Sequence, residues 1–419
     1  MIKKWTLSLL MLCFSASMLM ASGFSIYEQG AKATAMGGAF IAQANDVTGV
    51  FYNPAGITAL PGFNVSLGTT IIIPAFDYTG PQTVDPLLYT KSKDLVFPPT
   101  HFYLTYKINE KLSAGFGFYT LFGLGSEWPE EWVGRQLATN SHVQTYFFNP
   151  VVSYKLMDNL SVAAGFSAVM ANVTLEKSIL TPVGYWVESK LDATTMGYGF
   201  NLGLQYKPME KLSLGLVYRH NVKLDFKDGD ATFTMPAAAE SVLRPMFPNT
   251  TGDSELTLPQ LIGVGIAYDF TEQLTAEFDF MQLNWSSYDV LKLKFKDPVG
   301  GSTESEAIKN YEDSYSLRVG MEYRINEQWA ARLGYLRDNE AVPDEYVEPS
   351  LPEGPRHLFC FGAGFKINKI TIDGFYLALL QDDREIKTSK LEVNGQSFPF
   401  NGKYRGLANM FGLTVSYGF

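Results

Sequence analysis

Six copies of one short segment set the strand count of this chain. They begin at Tyr106, Tyr154, Tyr206, Tyr268, Tyr323 and Phe365. The first reads Tyr-Lys-Ile-Asn-Glu-Lys-Leu-Ser and the third Tyr-Lys-Pro-Met-Glu-Lys-Leu-Ser. Each has an aromatic residue, a short polar turn and an apolar residue that opens an alternating run, the signature of a tight β-hairpin. Six hairpins join twelve strands. One strand before the first hairpin, near Phe63–Ile73, and one after the last, Arg405–Phe419, make fourteen. An even count, with short turns on one side and long loops on the other, is the plan of an antiparallel transmembrane β-barrel.

The alternation within strands agrees. In the last strand Leu407, Phe411, Leu413, Val415, Tyr417 and Phe419 share one face, while Ala408, Met410, Gly412, Thr414 and Gly418 share the other. Tyr315, Leu317, Val319, Met321 and Tyr323 oppose Ser316, Arg318, Gly320, Glu322 and Arg324. Large apolar residues on one face and small or charged ones on the other fit lipid outside and an enclosed lumen inside. The aromatic residues that open the six repeats would form one interfacial girdle.

The start of the chain reads as a secretory signal peptide over residues 1–21. Lys3 and Lys4 precede an apolar run from Trp5 to Met20, with cleavage near Ala21. Leu12 before Cys13 does not fit a lipidation site. No later stretch is apolar enough for a spanning helix, so export leads to a secreted protein or a barrel. Beyond the signal peptide one cysteine remains, Cys360, which excludes a disulfide framework. A net charge of −10 argues against nucleic acid. Four histidines leave little material for a metal site, and no cofactor is expected.

Residues 22–62 do not read as strand. Small residues dominate, and Ala31, Ala33, Ala35 and Ala39 permit short helical turns with close packing. A fourteen-stranded barrel is wide enough to conduct water or to need filling. A compact segment ahead of it is expected to be a plug, or hatch, inside the barrel formed by residues 63–419. Asn53, Pro54 and Ala55 read as the turn that fixes it, because Asn accepts turn geometry and Pro presets φ. The alternative is a loose periplasmic tail.

At this point the chain resembles a known family. Its N-terminal Gly-Phe pair, Gly37-Gly38-Ala39 and Asn53-Pro54-Ala55 are similar to the start of FadL-type long-chain fatty acid transporters, whose relatives include TodX-like aromatic hydrocarbon channels. Leu256-Thr-Leu-Pro259, Asn284-Trp-Ser286, Arg332-Leu-Gly-Tyr335 and Pro352-Glu-Gly-Pro-Arg356 continue the likeness along the mature chain. The resemblance implies a monomeric fourteen-stranded barrel in the bacterial outer membrane, closed by an N-terminal hatch. It implies passive uptake of a hydrophobic small molecule, a fatty acid or a hydrocarbon. It also implies lateral exit into membrane lipid at a kinked third strand, here Leu112–Leu121, with Gly115 and Gly117 as the expected bend. Phe419 resembles the C-terminal signal read by the outer-membrane insertion machinery.

Two long loops carry more apolar residues than shielding requires. One holds Trp128 and Trp132. The other holds Met235, Leu243, Met246 and Phe247 at roughly helical spacing. Both are candidates for a greasy landing site, Met being suited to ligands of varied shape; packing of loop on loop is the alternative. A buried fatty-acid carboxylate would want a cation. Arg219, Arg318 and Arg332 are the candidates, against an ion-pair network that braces the wall. Hydrophobic uptake competes with a general porin, which would need an open eyelet and no plug, with a surface receptor, and with a barrel enzyme. The last lacks any Ser/His/acid set.

Overall fold

The computed structural model describes residues 23–81, 84–393 and 395–419. The expected signal peptide at 1–21, and Ser22, lie outside the described residues. Fourteen antiparallel strands close into a barrel. They are β1 (Phe63–Thr79), β2 (Thr100–Lys107, with a short run at Tyr89–Lys91), β3 (Leu112–Tyr119, resuming at Gly123–Glu127), β4 (Asn140–Met157), β5 (Leu160–Leu180) and β6 (Trp186–Met209). Next come β7 (Leu212–Arg219 and Val222–Thr234), β8 (Thr250–Leu258 and Leu261–Asp269), β9 (Leu274–Leu283 and Val290–Val299) and β10 (Ser302–Ile308 and Ser314–Arg324). The last four are β11 (Trp329–Asp338), β12 (Arg356–Ile367), β13 (Ile370–Gln381, with Arg384–Ile386) and β14 (Gly402–Gly418). β1 pairs with β14 from Asn64 opposite Gly418 to Thr79 opposite Lys403, which closes the cylinder. The first strand is longer than its expected end at Ile73, and the last begins at Gly402 rather than Arg405.

The six repeats are the six tight turns, and their polar residues hold them. Asn109 Oδ1 accepts from the N–H groups of Lys111 and Leu112, both at 2.9 Å. Asn326 does the same for Gln328 and Trp329 at 2.9 and 2.8 Å. The Thr271 hydroxyl oxygen accepts from Gln273 and Leu274. These side chains mimic a backbone turn. Tyr106, Tyr154, Tyr206, Tyr268 and Tyr323 are all exposed beside them. In β14, Leu407, Phe411, Leu413 and Val415 are exposed while Ala408, Met410 and Thr414 are buried, so the alternation separates a lipid face from a lumen face.

A strand crosses the hydrocarbon layer in about 9–11 residues. β5 and β6 have 21 and 24, so much of each stands beyond the bilayer on the long-loop side. Further round the barrel, β9 and β10 carry cross-strand ion pairs such as Lys292–Glu306 at 2.6 Å.

Residues 23–62 pack against the lumen face. After an extended run to Gln29 come α1 (Ala31–Ala35), α2 (Gly49–Tyr52) and a 3-10 turn at Pro54–Ala59. Helices of four or five residues are not stable alone; the wall holds these. Thr414 Oγ1 accepts from Ala31 N at 2.9 Å. Asp279 accepts from the N–H groups of Phe40 and Ile41, and Glu277 from those of Ala42 and Gln43. Asn53 accepts from Ala55 N and donates to Ile41 O and Leu204 O, so it fixes the turn and ties it to β6. Inward glycines on the wall make room: Gly320, Gly334 and Gly362 lie under Met36, Gly37 and Ala35, where a Cβ would collide.

Candidate functional site

β3 is broken, though not at the glycines expected to bend it. Gly115 and Gly117 stay in register with β4, opposite Val151 and Asn149. Their missing side chains instead admit Val50 and Ile57 of the N-terminal segment, which would lie about 3 Å from an added Cβ. The interruption falls at residues 120–122. Below it Tyr119 faces Phe147, and above it Gly123 faces Gln144. Three residues of β3 thus oppose two of β4, and the ladder is lost locally.

A gap in a lipid-embedded wall leaves backbone groups that lipid cannot satisfy. Here Thr145 of β4 bonds both backbone groups of Phe122, and the N-terminal segment satisfies others. Ile26 N donates to Leu121 O at 2.7 Å, and Gly123 N donates to Phe24 O at 2.9 Å. The Gln29 side-chain amide donates to Thr120 O. Residues 24–29 therefore act as a patch on the broken strand.

Behind the patch lies a cavity of about 440 Å³. Its inner wall is an apolar cluster of Leu336, Leu358, Leu379, Ala408 and Met410. Phe24 and Ile26 line it from the N-terminal segment. Phe118 and Tyr146 also line it. They alternate with the buried Tyr119 and Phe147 and so point away from the lumen, where their rings stack at 6.0 Å. The cavity lining therefore reaches from the lumen to the outer face at the β3 break. An apolar cavity of about 150 Å³ takes one benzene; this one is roughly three times larger.

One end of the cavity is polar. Arg356, the first residue of β12, donates from Nη2 to Asp338 Oδ2 at 2.8 Å. Arg356 Nε and Asp338 Oδ1 are buried without a protein partner. Glu28 also lines this end, and burial holds its carboxyl above the usual carboxylate range. Arg356 is thus a cavity cation with a free N–H.

The three cations expected to meet a ligand sit elsewhere. Arg332 joins Glu322 and Asp373, both at 2.7 Å, in the bracing network that was the alternative. Arg318 donates to Gly38 O and Ser316 Oγ and lies 4.2 Å from the Tyr27 ring centroid. Arg219 bonds Tyr119 and the Phe51 carbonyl. None of the three lines the cavity. Arg356 was legible only as the end of Pro352-Glu-Gly-Pro-Arg356, where a turn delivers a strand.

The two apolar loops are mostly internal. Trp128 and Trp132 stack at 4.4 Å and are buried, their indole N–H groups donating to Pro349 O and Ala138 O. They join loops rather than face solvent. A short helix, α3 (Glu240–Leu243), forms in the other loop. Leu243 and Phe247 are buried against Val187 and Phe233, with Met235 packed beside them. Val242 and Met246 remain exposed. The physical reason is shared: large side chains at a barrel mouth gain more from each other than from water.

A family model described as outer membrane protein transport protein (OMPP1/FadL/TodX) matches residues 12–419. The chain is 25% identical over 408 residues to a long-chain fatty acid transport protein of Salmonella typhi, covering 90% of this chain and 89% of that one. Its fold is similar to a Pseudomonas aeruginosa FadL homologue, with a TM-score of 0.86 at 19% identity, over 95% of this chain and 100% of that chain. It is also similar to the toluene transporter TodX of P. putida, with a TM-score of 0.73 at 15% identity, over 96% and 99%.

Proposed function

We propose that this chain, which belongs to the OMPP1/FadL/TodX family of outer-membrane transport proteins, takes up long-chain fatty acids by diffusion through a hatch-gated lateral portal. The observation that carries the reading is the cavity whose lining runs from the lumen to Phe118 and Tyr146 on the outer face. An apolar ligand in that cavity lies against residues 24–28 of the patch and beside the outward-facing Phe118 and Tyr146. Residues 22–62 act as the hatch, and its withdrawal uncovers the β3 break. After removal of the signal peptide, Phe419 presents an exposed C-terminal aromatic to the insertion machinery; its N–H is held by Phe63 O at 2.8 Å.

Arg356 supports the acid over other hydrophobes. A carboxylate bound at its free Nε forms a charge-assisted hydrogen bond, about twice as strong as a neutral one. The apolar length of the cavity accommodates the chain behind it. A second reading rests on Asp338: it already neutralises Arg356, so the polar end carries no net positive charge, which suits a neutral hydrocarbon.

Binding of oleate, methyl oleate, an alkane and toluene to the detergent-folded protein and to Arg356→Gln separates the two. Oleate bound more tightly than its ester, with the difference lost in Arg356→Gln, supports fatty acid uptake. Preference for toluene, unaffected by the substitution, moves the protein to hydrocarbon transport. No binding of any of the four overturns the uptake reading.

A further inference from the structure

Arg219 stands at a junction that neither the cavity nor the wall network explains. It is the last residue of the lower half of β7 and is buried, 9% exposed. Its Nη1 donates to the Tyr119 hydroxyl at 2.7 Å, and its Nη2 donates to the Phe51 carbonyl. Tyr119 is the last residue of β3 before the break; Phe51 belongs to α2. The two rings also meet edge to face at 4.9 Å. Tyr119 in turn donates to Asn149 Oδ1 on β4 at 3.1 Å. Among the described residues Arg219 forms no ion pair with a carboxylate. A buried guanidinium held only by a carbonyl, a phenol and two ring faces depends on all of them.

We infer that Arg219 is the latch that couples the N-terminal segment to the break in β3, a positioning residue whose release lets the portal open. The inference rests on the hatch reading above. If α2 shifts, the guanidinium loses the Phe51 carbonyl and one ring face together. It must then find another acceptor, and Tyr119, its remaining partner, is the residue at the edge of the gap. Motion of the segment is thereby converted into motion of the β3 end, rather than into loss of a bond alone.

The test is hydrogen exchange at the Ile26 and Gly123 amides, which bridge the break, in the detergent-folded protein. Arg219→Gln is expected to speed exchange at both by about tenfold or more, the size of a lost hydrogen bond to a charged group. Tyr119→Phe, which keeps the ring but removes one acceptor, is expected to act at the same two amides with smaller effect. Arg219→Lys, lacking the fork, should restore protection only in part. The Leu333 amide, in the β11–β12 ladder, should not change, and oleate binding at the cavity should persist. Unchanged protection at Ile26 and Gly123 in either variant overturns the latch. So does exchange raised equally at Leu333, which marks general loosening. If Arg219→Gln does not fold, Tyr119→Phe decides. Exchange that responds in a protein binding none of the four hydrophobes leaves the latch standing and rejects the uptake reading instead.

Discussion

Gly334 on β11 and Gly37 in the N-terminal segment meet backbone to backbone: a Cβ on Gly334 would lie 2.0 Å from the Gly37 nitrogen. Gly37 itself has a φ of 68°, a conformation that side chains disfavour. Neither partner can yield, because both surfaces are main chain.

Gly334→Val is therefore expected to push the segment off its seat while leaving the strand in the wall. Overpacking of this kind costs about 1–3 kcal/mol. Single-channel recording should show constitutive ion conductance in the variant and little in the wild type. A folded variant with wild-type conductance would show that the segment does not close the lumen.

Asn53 offers a gentler way to loosen the same segment. It is fully buried, and its amide nitrogen serves Ile41 O and Leu204 O. Asn53→Ala leaves both carbonyls without that donor and removes the cap on Ala55. A loss of about 1–3 kcal/mol is expected from the orphaned groups. Limited proteolysis at rising urea should cut residues 23–62 of the variant earlier than those of the wild type, with the barrel circular dichroism unchanged. Simultaneous loss of both signals would place Asn53 in barrel folding rather than in segment docking.

The wall was legible in the sequence and the site was not, for one physical reason. A strand declares itself locally: Tyr323 and the Asn326 turn can be read within a few residues, and the period of two assigns Leu413 outward and Thr414 inward. The break in β3 depends on partners far along the chain. Residues 120–122 contain no glycine or proline, and the Thr120 and Leu121 carbonyls are satisfied by Gln29 and Ile26. Gly115 and Gly117 read as a bend because the sequence cannot show that Val50 occupies the space above them. Charge was misleading in the same way. Arg318, Arg332 and Arg356 look alike on lumen-facing positions, and only the packing of residues 23–62 decides which of them a ligand can reach.

Glu353 introduces a pH dependence at the end of the same segment. Its carboxylate accepts from Gly23 N at 2.6 Å and from Ala341 and Val342 N at 3.1 and 3.2 Å. Burial pushes its carboxyl above the usual range. A raised carboxyl means that the folded state binds the proton more tightly than the unfolded one. Its contribution to stability is present below the unfolded value, about 4.3, and is lost as pH rises through the folded value. Protection factors of the Gly23, Ala341 and Val342 amides should be higher at pH 4 than at pH 8. Glu353→Gln should flatten that dependence, and a dependence that survives the substitution would assign it to another group.

Trp132 separates a landing site from a loop staple. Its ring stacks on Trp128 and meets Tyr78 and Phe400 edge to face at 6.0 and 5.8 Å. It is nearly inaccessible, so an incoming hydrophobe has no surface on it to meet. Trp132→Ala removes a large buried side chain, at a cost of about 3–5 kcal/mol for such sites. The variant is expected to unfold at lower temperature, its loops 128–138 and 398–401 becoming sensitive to protease first. Oleate affinity and the rate of oleate capture should hold, since the cavity lining does not include this ring. Slower capture with unchanged thermal stability would reverse the assignment and return Trp132 to the ligand path. The exposed pair Val242 and Met246 supplies the contrast in the same assay. Their replacement by Glu leaves the buried Leu243 and Phe247 in place, so stability should stay near wild type. Capture should slow only if α3 is where ligand first lands.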